Sequence, residues 1–279
     1  MKPKVSIIIP YFNDGEYIAE TLYSVQQQTY SNVEVILVDD GSCDSFSIKT
    51  FKNIQIENGK KLWESNAGPS AARNLGIAHA TGKYILPLDA DDKIAPTYIE
   101  KAVDILEKDI QCGIVYCQGS FFGVDGGNWN LPSFSIGRML ISNIIFNAGL
   151  FRKEDWKLCG GYDKKLRLGI EDWDFWLSIL SLDRTVYQIP EKLFYYRIKE
   201  SSRNKLFEKN KKTVKETYFI IQNKHQELYN KFFNEYLVAS RECMINQHFE
   251  IQRLHNKQLK TKLGKLFPSL RKLKHKWNR

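Results

Sequence analysis

Several features of secreted and membrane-spanning proteins are missing from this sequence. Its five cysteines form no C-x-x-C pair, and no apolar segment typical of a secretory leader follows Met1 and Lys2. No apolar run reaches the length of about 18 residues that a transmembrane helix needs. These absences predict a reduced, cytoplasmic protein that has no membrane-spanning helix.

Two glycine-rich nucleotide-binding patterns are also absent. No G-x-G-x-x-G follows the first predicted strand, and no G-x-x-x-x-G-K-[ST] occurs anywhere in the chain. The five histidines show no spacing typical of paired zinc ligands. The sequence therefore argues against a dinucleotide-dependent enzyme, a P-loop ATPase and a zinc protein.

Basic charge is concentrated near the C-terminal end. Ten of the 41 Lys and Arg residues lie between Ile251 and Arg279, where there is no Asp or Glu, whereas the preceding part is close to neutral. Within 259–279, apolar residues recur at helical intervals between the basic ones, and Pro268 would divide such a helix. A cationic amphipathic segment suits an anionic membrane surface, and packing on the protein itself is the alternative. No nucleic-acid-binding motif accompanies the charge, so we expect no nucleic-acid partner.

Strand-like and helix-like segments alternate in the first 110 residues. Apolar, β-rich runs occur at Val5–Ile9, Val33–Val38 and Tyr84–Leu88, and helical patterns occur at Glu16–Gln28 and Pro69–Ala80. This alternation predicts an α/β fold with a mostly parallel sheet flanked by helices.

Polar residues follow each of the three predicted strands. Asn13 follows the first, Asp39–Ser42 the second and Asp89–Asp92 the third. In parallel sheets, ligands bind beyond the carboxyl ends of the strands. The three Asp residues of L-D-A-D-D repel one another, and a divalent cation would relieve that repulsion. The pattern predicts a metal site that faces a phosphate ligand, with a solvated acidic turn as the alternative.

Six motifs in order resemble the inverting family 2 glycosyltransferases, which have the GT-A fold. They are V-S-I-I-I-P-Y-F-N-D from Val5, V-D-D-G-S-C-D at 38–44, N-A-G-P-S-A-A-R-N at 66–74, L-D-A-D-D at 88–92, G-G-Y-D at 160–163 and E-D-W-D-F-W-L at 171–177. The resemblance implies a GT-A catalytic domain at 1–203, made of a nucleotide-sugar half (1–110) and an acceptor half (111–203). A helical C-terminal region (204–258) and a basic amphipathic tail (259–279) complete the predicted organisation.

The resemblance implies roles for residues on the donor side. Asp91 is expected to bind Mn²⁺ or Mg²⁺, and Asp89 to contact the ribose or the donor sugar. Asp40 resembles a residue that accepts the N3 hydrogen of uracil, which favours a UDP-sugar, while Asp39 either joins it or caps the turn. The other residues expected at the nucleotide sugar are Pro10 and Phe12 beside the base and Arg73, Arg197 and Lys199 at the diphosphate.

One position departs from the family pattern. Relatives often carry Tyr-Arg-x-His near the end of the catalytic region, and this chain has Lys199 in the place of the histidine. The lysine keeps a cation near the diphosphate and removes an imidazole that could bind a metal. How this loop closes over the donor is therefore left open.

The acceptor side is expected around the start of the helix predicted at 171–182. The resemblance places the catalytic base at Asp172, with Glu171 as the alternative. Acidic residues are also ordinary in the first turn of a helix, where the helix dipole favours them. Gly161 and Tyr162 are expected to shape the acceptor pocket, and Trp173 to stack on an acceptor sugar.

These features predict a metal-dependent inverting glycosyltransferase. It would move a sugar from a UDP-sugar to a hydroxyl of a lipid-linked or polysaccharide acceptor, at the cytoplasmic face of the cell membrane, in cell-surface glycan synthesis. One alternative is a nucleotidyltransferase-like enzyme that uses the same sheet and metal. Another is a non-catalytic membrane or nucleic-acid adaptor, against which the two separate acidic motifs argue.

Overall fold

The computed structural model describes residues 2–166, 169–200, 207 and 209–266, with side chains described as far as residue 258. The strands in this part of the chain are β1 (Val5–Tyr11), β2 (Val33–Asp39), β3 (Gly59–Trp63), β4 (Tyr84–Pro87), β5 (Lys93–Ile94), β6 (Cys112–Gly123), β7 (Gly127–Trp129), β8 (Leu150–Arg152) and β9 (Thr185–Ile198).

The helices of the same residues alternate with the strands and then follow them. They are α1 (Ile18–Gln26), α2 (Ser45–Asn53), α3 (Pro69–His79), α4 (Tyr98–Lys108), α5 (Ile136–Ile141), α6 (Lys153–Leu158), α7 (Glu171–Leu180), α8 (Lys211–Lys224), α9 (Gln226–Lys231) and α10 (Phe233–Leu266).

The strands form one sheet in the order β3-β2-β1-β4-β8-β6-β9-β5, with β7 paired to β6. Pairing is parallel among β3, β2, β1 and β4, as the alternation of strands and helices predicts. It turns antiparallel where β8 enters between β4 and β6. The α/β prediction is confirmed, and the whole sheet is mixed because its second half is not built from strand–helix–strand crossovers alone.

The parallel strands place the predicted polar segments at one edge. Tyr11 at the end of β1 lies beside Asp39 at the end of β2, and the Asp40 amide donates to the Tyr11 carbonyl at 2.9 Å. On the other side of β1, the Leu88 amide donates to the Ile8 carbonyl at 2.9 Å. The segments that follow β1, β2 and β4 therefore leave the sheet side by side.

Helix α3 lies unusually close to the sheet. A Cβ added at Gly76 would meet Cγ2 of Ile8 at 2.5 Å and Cγ2 of Val38 at 3.1 Å. Any larger residue would overpack this contact, at a cost of about 1–3 kcal/mol. The close approach brings Arg73 and Asn74, one turn earlier, towards the edge where the polar segments lie.

The second half of the sheet returns to that edge through β9. Thr185–Ile198 is one long strand, which pairs with β6 through several register shifts. Such irregularities let one strand bend while it keeps its partner. The end of β9 also pairs with β5, directly after the acidic run, and so carries Arg197 and Lys199 to that run.

The C-terminal helices pack on the acceptor half. The Tyr229 hydroxyl in α9 donates to the Leu140 carbonyl of α5 at 2.6 Å, and α10 crosses α5 where Gly137 faces Glu235 and Ala239. Helix α10 continues to Leu266, and positions 267–279 of the predicted basic tail lie outside the described residues. None of the helices in the described part is both long and apolar enough to span a bilayer.

Candidate active site

The acidic run forms a compact turn at the end of β4. One carboxylate oxygen from each of Asp89, Asp91 and Asp92 lies within 4.8 Å of the others. Asp92 is 1% exposed, and its Oδ2 atom accepts no hydrogen bond from the described residues, while Asp89 and Asp91 are half-buried. Three clustered oxygens, one of them buried and unsatisfied, fit the ligand preference of Mg²⁺ or Mn²⁺.

The electrostatics of this turn also favour a bound cation. Burial raises the pKa of Asp91, and burial together with the charges of Asp91 and Asp89 raises the pKa of Asp92 well above its ordinary range. Nearby, burial and the charge of Asp91 raise the pKa of Asp14 to about 6. Each pKa shift arises first from burial, and neighbouring carboxylates add to it.

Two basic residues from the end of β9 hold the acidic turn. The Arg197 amide donates to Asp92 Oδ1 at 2.9 Å, and Arg197 Nε donates to the Asp91 carbonyl at 2.9 Å. The guanidinium lies over the rings of Tyr17 and Phe122. Its Nη2 lies 3.0 Å from Glu20 Oε1, so the described contacts of Arg197 are with the protein, and its contact with a diphosphate stays a prediction.

Lys199 reaches the same turn with its ammonium group. Its Nζ lies 2.7 Å from Asp91 Oδ2 and 2.6 Å from Asp14 Oδ1. Burial opposes the charged form, but Asp91 and Asp14 outweigh burial and raise the pKa of Lys199. The lysine is therefore a fixed positive charge at the edge of the carboxylate cluster, where a diphosphate contact was predicted.

The D-D-G-S segment after β2 is organised by its own backbone. Asp39 Oδ1 accepts from the Ser42 amide at 2.9 Å, which is the turn-capping role that the sequence left open. Asp40 accepts from the Ala67 amide at 2.7 Å and from the Gly68 amide at 3.0 Å. Asp40 thereby fixes the loop that leads into α3, and its recognition of uracil stays a prediction.

The residues expected beside the nucleobase are accessible. Phe12 is 39% exposed directly after β1, and Pro10 is half-buried at the end of that strand. Asn13 between β1 and α1 accepts from the Cys43 amide at 2.9 Å and its own amide donates to Ser42 Oγ at 3.0 Å. The loops after β1 and β2 are therefore joined into one wall.

Arg73 links the acidic turn to the start of α7. Its Nη2 lies 2.8 Å from Asp89 Oδ1, and its Nη1 lies 2.8 Å from Glu171 Oε1. The arginine is 1% exposed, and although burial opposes the charge, Asp89 and Glu171 raise its pKa well above the ordinary value. In this structure both ends of the guanidinium pair with carboxylates, and the phosphate contact of Arg73 stays a prediction.

The two candidate bases at the start of α7 differ in exposure. Glu171 is 2% exposed and is bonded to Arg73, whereas Asp172 is half-buried and accepts from the Trp173 amide at 2.9 Å. A general base must reach the hydroxyl that it deprotonates. The geometry therefore favours Asp172 as the base and gives Glu171 a supporting position.

The aromatic residues expected in the acceptor pocket are buried. Trp173 is 1% exposed, donates its indole N–H to the Met139 carbonyl at 2.7 Å and contacts the Tyr218 ring at 4.9 Å. Tyr162 is 3% exposed and stacks on Phe175 at 4.1 Å. Both rings pack inside the protein, and the stacking of Trp173 on an acceptor sugar stays a prediction.

Gly161 has a shape requirement of its own. Its φ is +79°, and an added Cβ would meet Trp156 Nε1 at 2.6 Å and Asn74 Oδ1 at 2.7 Å. Asn74 accepts from the Tyr162 amide at 2.9 Å and donates to the Tyr162 carbonyl at 2.8 Å. Asn74 was not singled out from the sequence, although it ends the N-A-G-P-S-A-A-R-N motif, and it binds the G-G-Y-D turn to α3.

A second buried carboxylate in α7 anchors the C-terminal helices. Asp174 is fully buried, with Oδ1 at 2.9 Å from His225 Nε2 and Oδ2 at 2.7 Å from Lys224 Nζ. Burial raises its pKa, but the hydrogen bonds from His225 and Lys224 outweigh burial and lower it. No motif spacing indicates this cluster, because Asp174 lies about 50 residues before its two partners.

Proteins of similar sequence belong to one class, the glycosyltransferases. The chondroitin synthase of Pasteurella multocida (strain Pm70) is 26% identical over 261 residues, which make up 90% of this chain and 26% of that protein. An uncharacterized glycosyltransferase of Haemophilus influenzae is 39% identical over 123 residues, 43% of this chain and 47% of that protein. The chain thus spans about a quarter to a half of the length of these relatives.

Solved structures agree on the fold. S. aureus TarS 1-349 in complex with UDP-GlcNAc matches with a TM-score of 0.61 and 21% identity, over 72% of this chain and 60% of that chain. The complex of the same protein with UDP matches with a TM-score of 0.58 and 22% identity, over 74% of this chain and 62% of that one. The GT-A fold is confirmed.

The family itself is shown by the sequence. The family model for glycosyl transferase family 2 matches residues 6–165, more than half of the chain. This chain belongs to glycosyl transferase family 2, and the resemblance that the six motifs indicated is confirmed.

Proposed function

We propose that this chain is the catalytic part of a metal-dependent inverting glycosyltransferase. It moves a sugar from a nucleotide-diphosphate sugar, by preference a UDP-sugar, to a hydroxyl of a polysaccharide or lipid-linked acceptor in cell-surface glycan synthesis. The observation that carries the proposal is that one arginine pairs both with a carboxylate of the acidic turn and with a carboxylate at the start of α7. Arg73 joins Asp89 of the acidic turn to Glu171, and Glu171 adjoins the more exposed Asp172.

The acidic turn is the proposed donor end of the site. Asp91 is the principal ligand for Mn²⁺ or Mg²⁺, with Asp89 and Asp92 close enough to share it directly or through water. A cation bound there would neutralise the negative charge that grows on the departing diphosphate. Arg197 keeps the turn in place through its bonds to the Asp91 carbonyl and the Asp92 carboxylate.

Asp172 is the proposed base at the acceptor end. It takes the proton of the acceptor hydroxyl while that oxygen forms its bond to the anomeric carbon. The bond between this carbon and the diphosphate breaks on the opposite face, so the configuration inverts. General-base catalysis of this kind contributes roughly 10²–10⁴-fold to a rate. Glu171 pairs with Arg73 and is too buried to be the proposed base.

Uridine is the proposed nucleoside. TarS has been solved with UDP and with UDP-GlcNAc, and it shares the fold of this chain. The wall formed by Pro10 and Phe12 offers an apolar surface for a planar base. Asp40 at the end of β2 is the proposed acceptor for the N3 hydrogen of uracil.

A glycan acceptor and a membrane location complete the proposal. Relatives include chondroitin synthase and hyaluronan synthase of Pasteurella multocida, whose names refer to polysaccharide products. Residues 259–279 are proposed to bind an anionic membrane surface at the cytoplasmic face through their basic charge. Deletion of 259–279 is expected to abolish binding to anionic vesicles and to keep transfer to a soluble acceptor. Vesicle binding that survives the deletion would contradict the role of the tail.

The test of the proposed function is a donor screen. Purified protein is incubated with a panel of UDP-, GDP- and dTDP-sugars in Mn²⁺, with and without candidate acceptors, and released nucleotide and glycoside products are identified by mass spectrometry. We expect UDP release that EDTA, Asp91→Asn and Asp172→Asn each abolish. Formation of a new nucleotide sugar would instead support the nucleotidyltransferase alternative, and release that both variants retain would contradict the assigned site.

A further inference from the structure

Lys199 lies at the carboxylate cluster and contacts one of the proposed metal ligands. Its ammonium lies 2.7 Å from Oδ2 of Asp91, the residue proposed as the principal metal ligand. The same Nζ lies 2.6 Å from Asp14 Oδ1 and 4.7 Å from the centre of the Tyr17 ring. Two carboxylates and one aromatic face thus hold a single positive charge, and the side chain is only 22% exposed.

A cation in this position changes what the cluster can bind. A carboxylate that already pairs with an ammonium offers less negative charge to Mn²⁺, and the two positive charges repel each other at contact distance. A diphosphate reverses the balance, because it brings negative charge for which Lys199 is a suitable partner. The affinity of Asp91 for the metal therefore differs between the free protein and the protein with a bound diphosphate.

We infer that Lys199 couples metal binding to nucleotide binding: it pairs with Asp91 in the free protein, weakens Mn²⁺ binding there, and transfers to the diphosphate when the nucleotide enters. This inference rests on the proposed function, since it assumes that Asp91 binds the cation and that the donor carries a diphosphate. By linkage, Mn²⁺ and UDP each raise the affinity for the other, by a factor that is typically about 5–150-fold. Removing the charge of Lys199 lowers that factor, and the direct attraction between the cation and the diphosphate remains.

The alternative is that Lys199 serves only to fasten the end of β9 to the loop after β1. In that case its removal lowers stability and leaves the Mn²⁺ affinity of the free protein unchanged. The two roles therefore make different predictions for a metal titration without nucleotide, in which no catalytic step takes part.

The experiment measures free Mn²⁺ by electron paramagnetic resonance during titration of the protein, with and without UDP. Wild type is compared with Lys199→Met, Lys199→Gln and the charge-retaining Lys199→Arg. Lys192→Met is the matched control, because Lys192 lies on β9, which ends directly before Lys199, and its ammonium contacts Asn128 instead of the cluster. Asp91→Asn identifies the site, and thermal unfolding of each variant confirms that it is folded.

The expected result has three parts. Wild type binds Mn²⁺ weakly alone and roughly 5–150-fold more tightly with UDP. Lys199→Met and Lys199→Gln bind Mn²⁺ more tightly than wild type without UDP, and UDP raises their Mn²⁺ affinity by a smaller factor than it does in wild type. Lys199→Arg and Lys192→Met behave as wild type does.

Two results would overturn the inference and are distinguishable. Suppose that wild type binds Mn²⁺ in the presence of UDP, and that the neutral Lys199 variants have the same Mn²⁺ affinities as wild type both with and without UDP. The coupling role then fails and the proposed function stands. If wild type binds no Mn²⁺ with or without UDP, the metal assignment of the proposed function fails, and the inference falls with it.

Discussion

The donor edge and the base helix are both rich in carboxylates, but different partners hold them. At the donor edge, Asp39 and Asp40 accept hydrogen bonds from backbone amides. In α7, Glu171 and Asp174 are buried and pair with side-chain cations. The donors to Asp39 lie in its own turn, and the donors to Asp40 lie in the loop before α3, whereas the cations that pair with Glu171 and Asp174 are side chains of other helices. Backbone amides therefore hold the carboxylates after β2, and side-chain cations hold those of the base helix.

This difference has a consequence for how the two ends of the site tolerate change. Loss of a charge at the acidic turn should affect ligand binding and leave the fold intact, because Asp91 is half-buried and close to solvent. Loss of a charge beneath α7 should affect stability, because it leaves an opposite charge buried without its partner. Four substitutions test this division, from the largest expected effect to the smallest.

Asp91→Asn should have the largest effect on activity. The substitution removes the principal proposed ligand for the cation while keeping the shape of the side chain, so transfer should fall by at least about 100-fold. Steady-state turnover with the preferred UDP-sugar measures the loss, and the melting temperature should change little. Asp104→Asn, at an exposed position in α4, is the matched control and should retain full turnover. Retained turnover in Asp91→Asn with unchanged metal dependence would remove Asp91 from its role.

Asp172→Asn should lower turnover and spare binding. Without a base, the rate of transfer should fall by roughly 10²–10⁴-fold, while the affinity for UDP stays that of wild type. Single-turnover kinetics and a UDP titration separate the two quantities. Unchanged turnover would move the base to Glu171, in spite of its burial and its bond to Arg73.

Arg73→Met should mainly lower the stability of the fold. It leaves the buried Glu171 carboxylate without its arginine, which is expected to lower the free energy of unfolding by about 3–5 kcal/mol. Chemical denaturation measures the change, and Arg138→Met at an exposed position of α5 should change it by less than about 0.5 kcal/mol. A loss of nucleotide affinity at full stability would instead support the original expectation that Arg73 contacts phosphate.

Asp174→Asn should loosen the C-terminal helices. We expect a loss of about 1–3 kcal/mol in the free energy of unfolding at neutral pH, because His225 and Lys224 lose a charged acceptor. Asp183→Asn is the matched comparison: Asp183 pairs with Lys231 of α9 at an exposed site, where a pair contributes only about 0–1 kcal/mol. Equal losses in the two variants would contradict the importance of burial at Asp174.

The same variant has a defined pH dependence. The pKa of Asp174 is lower in the folded protein than its ordinary value of 3.8. Its stabilising contribution is therefore complete above that value and is lost as the pH falls through the folded pKa. The stability difference between wild type and Asp174→Asn should narrow as the pH is lowered below about 4, and denaturation at several pH values measures it. A difference that widens with falling pH would contradict the sign.

The sequence predicted the donor edge well because its signals are local. Strand ends followed by D-D-G-S and L-D-A-D-D mark the edge, and the turn-capping contact of Asp39 spans only three residues. Parallel pairing of β1 with β2 and β4 then follows from the alternation of strands and helices. Local hydrogen bonding and strand order were sufficient here.

The base helix could not be predicted in the same way. The Arg73–Glu171 pair spans 98 residues, and nothing in either segment shows that the other will lie beside it. The sequence predicts that Trp173 stacks on a ligand, whereas in the fold α5 and α8 pack against its ring. The burial of Arg73, Glu171 and Trp173 determines what each can contact, and burial follows from the assembled tertiary structure rather than from spacing along the chain.

The most direct test of the account is a calorimetric titration of the full chain with UDP and with GDP, in Mn²⁺ and again in EDTA. The account predicts that UDP binds in Mn²⁺, that EDTA or Asp91→Asn weakens this binding strongly, and that GDP binds more weakly than UDP. UDP binding of equal strength in Mn²⁺ and EDTA would contradict the metal site at Asp91. An absence of nucleotide binding in both conditions would contradict the donor site as a whole.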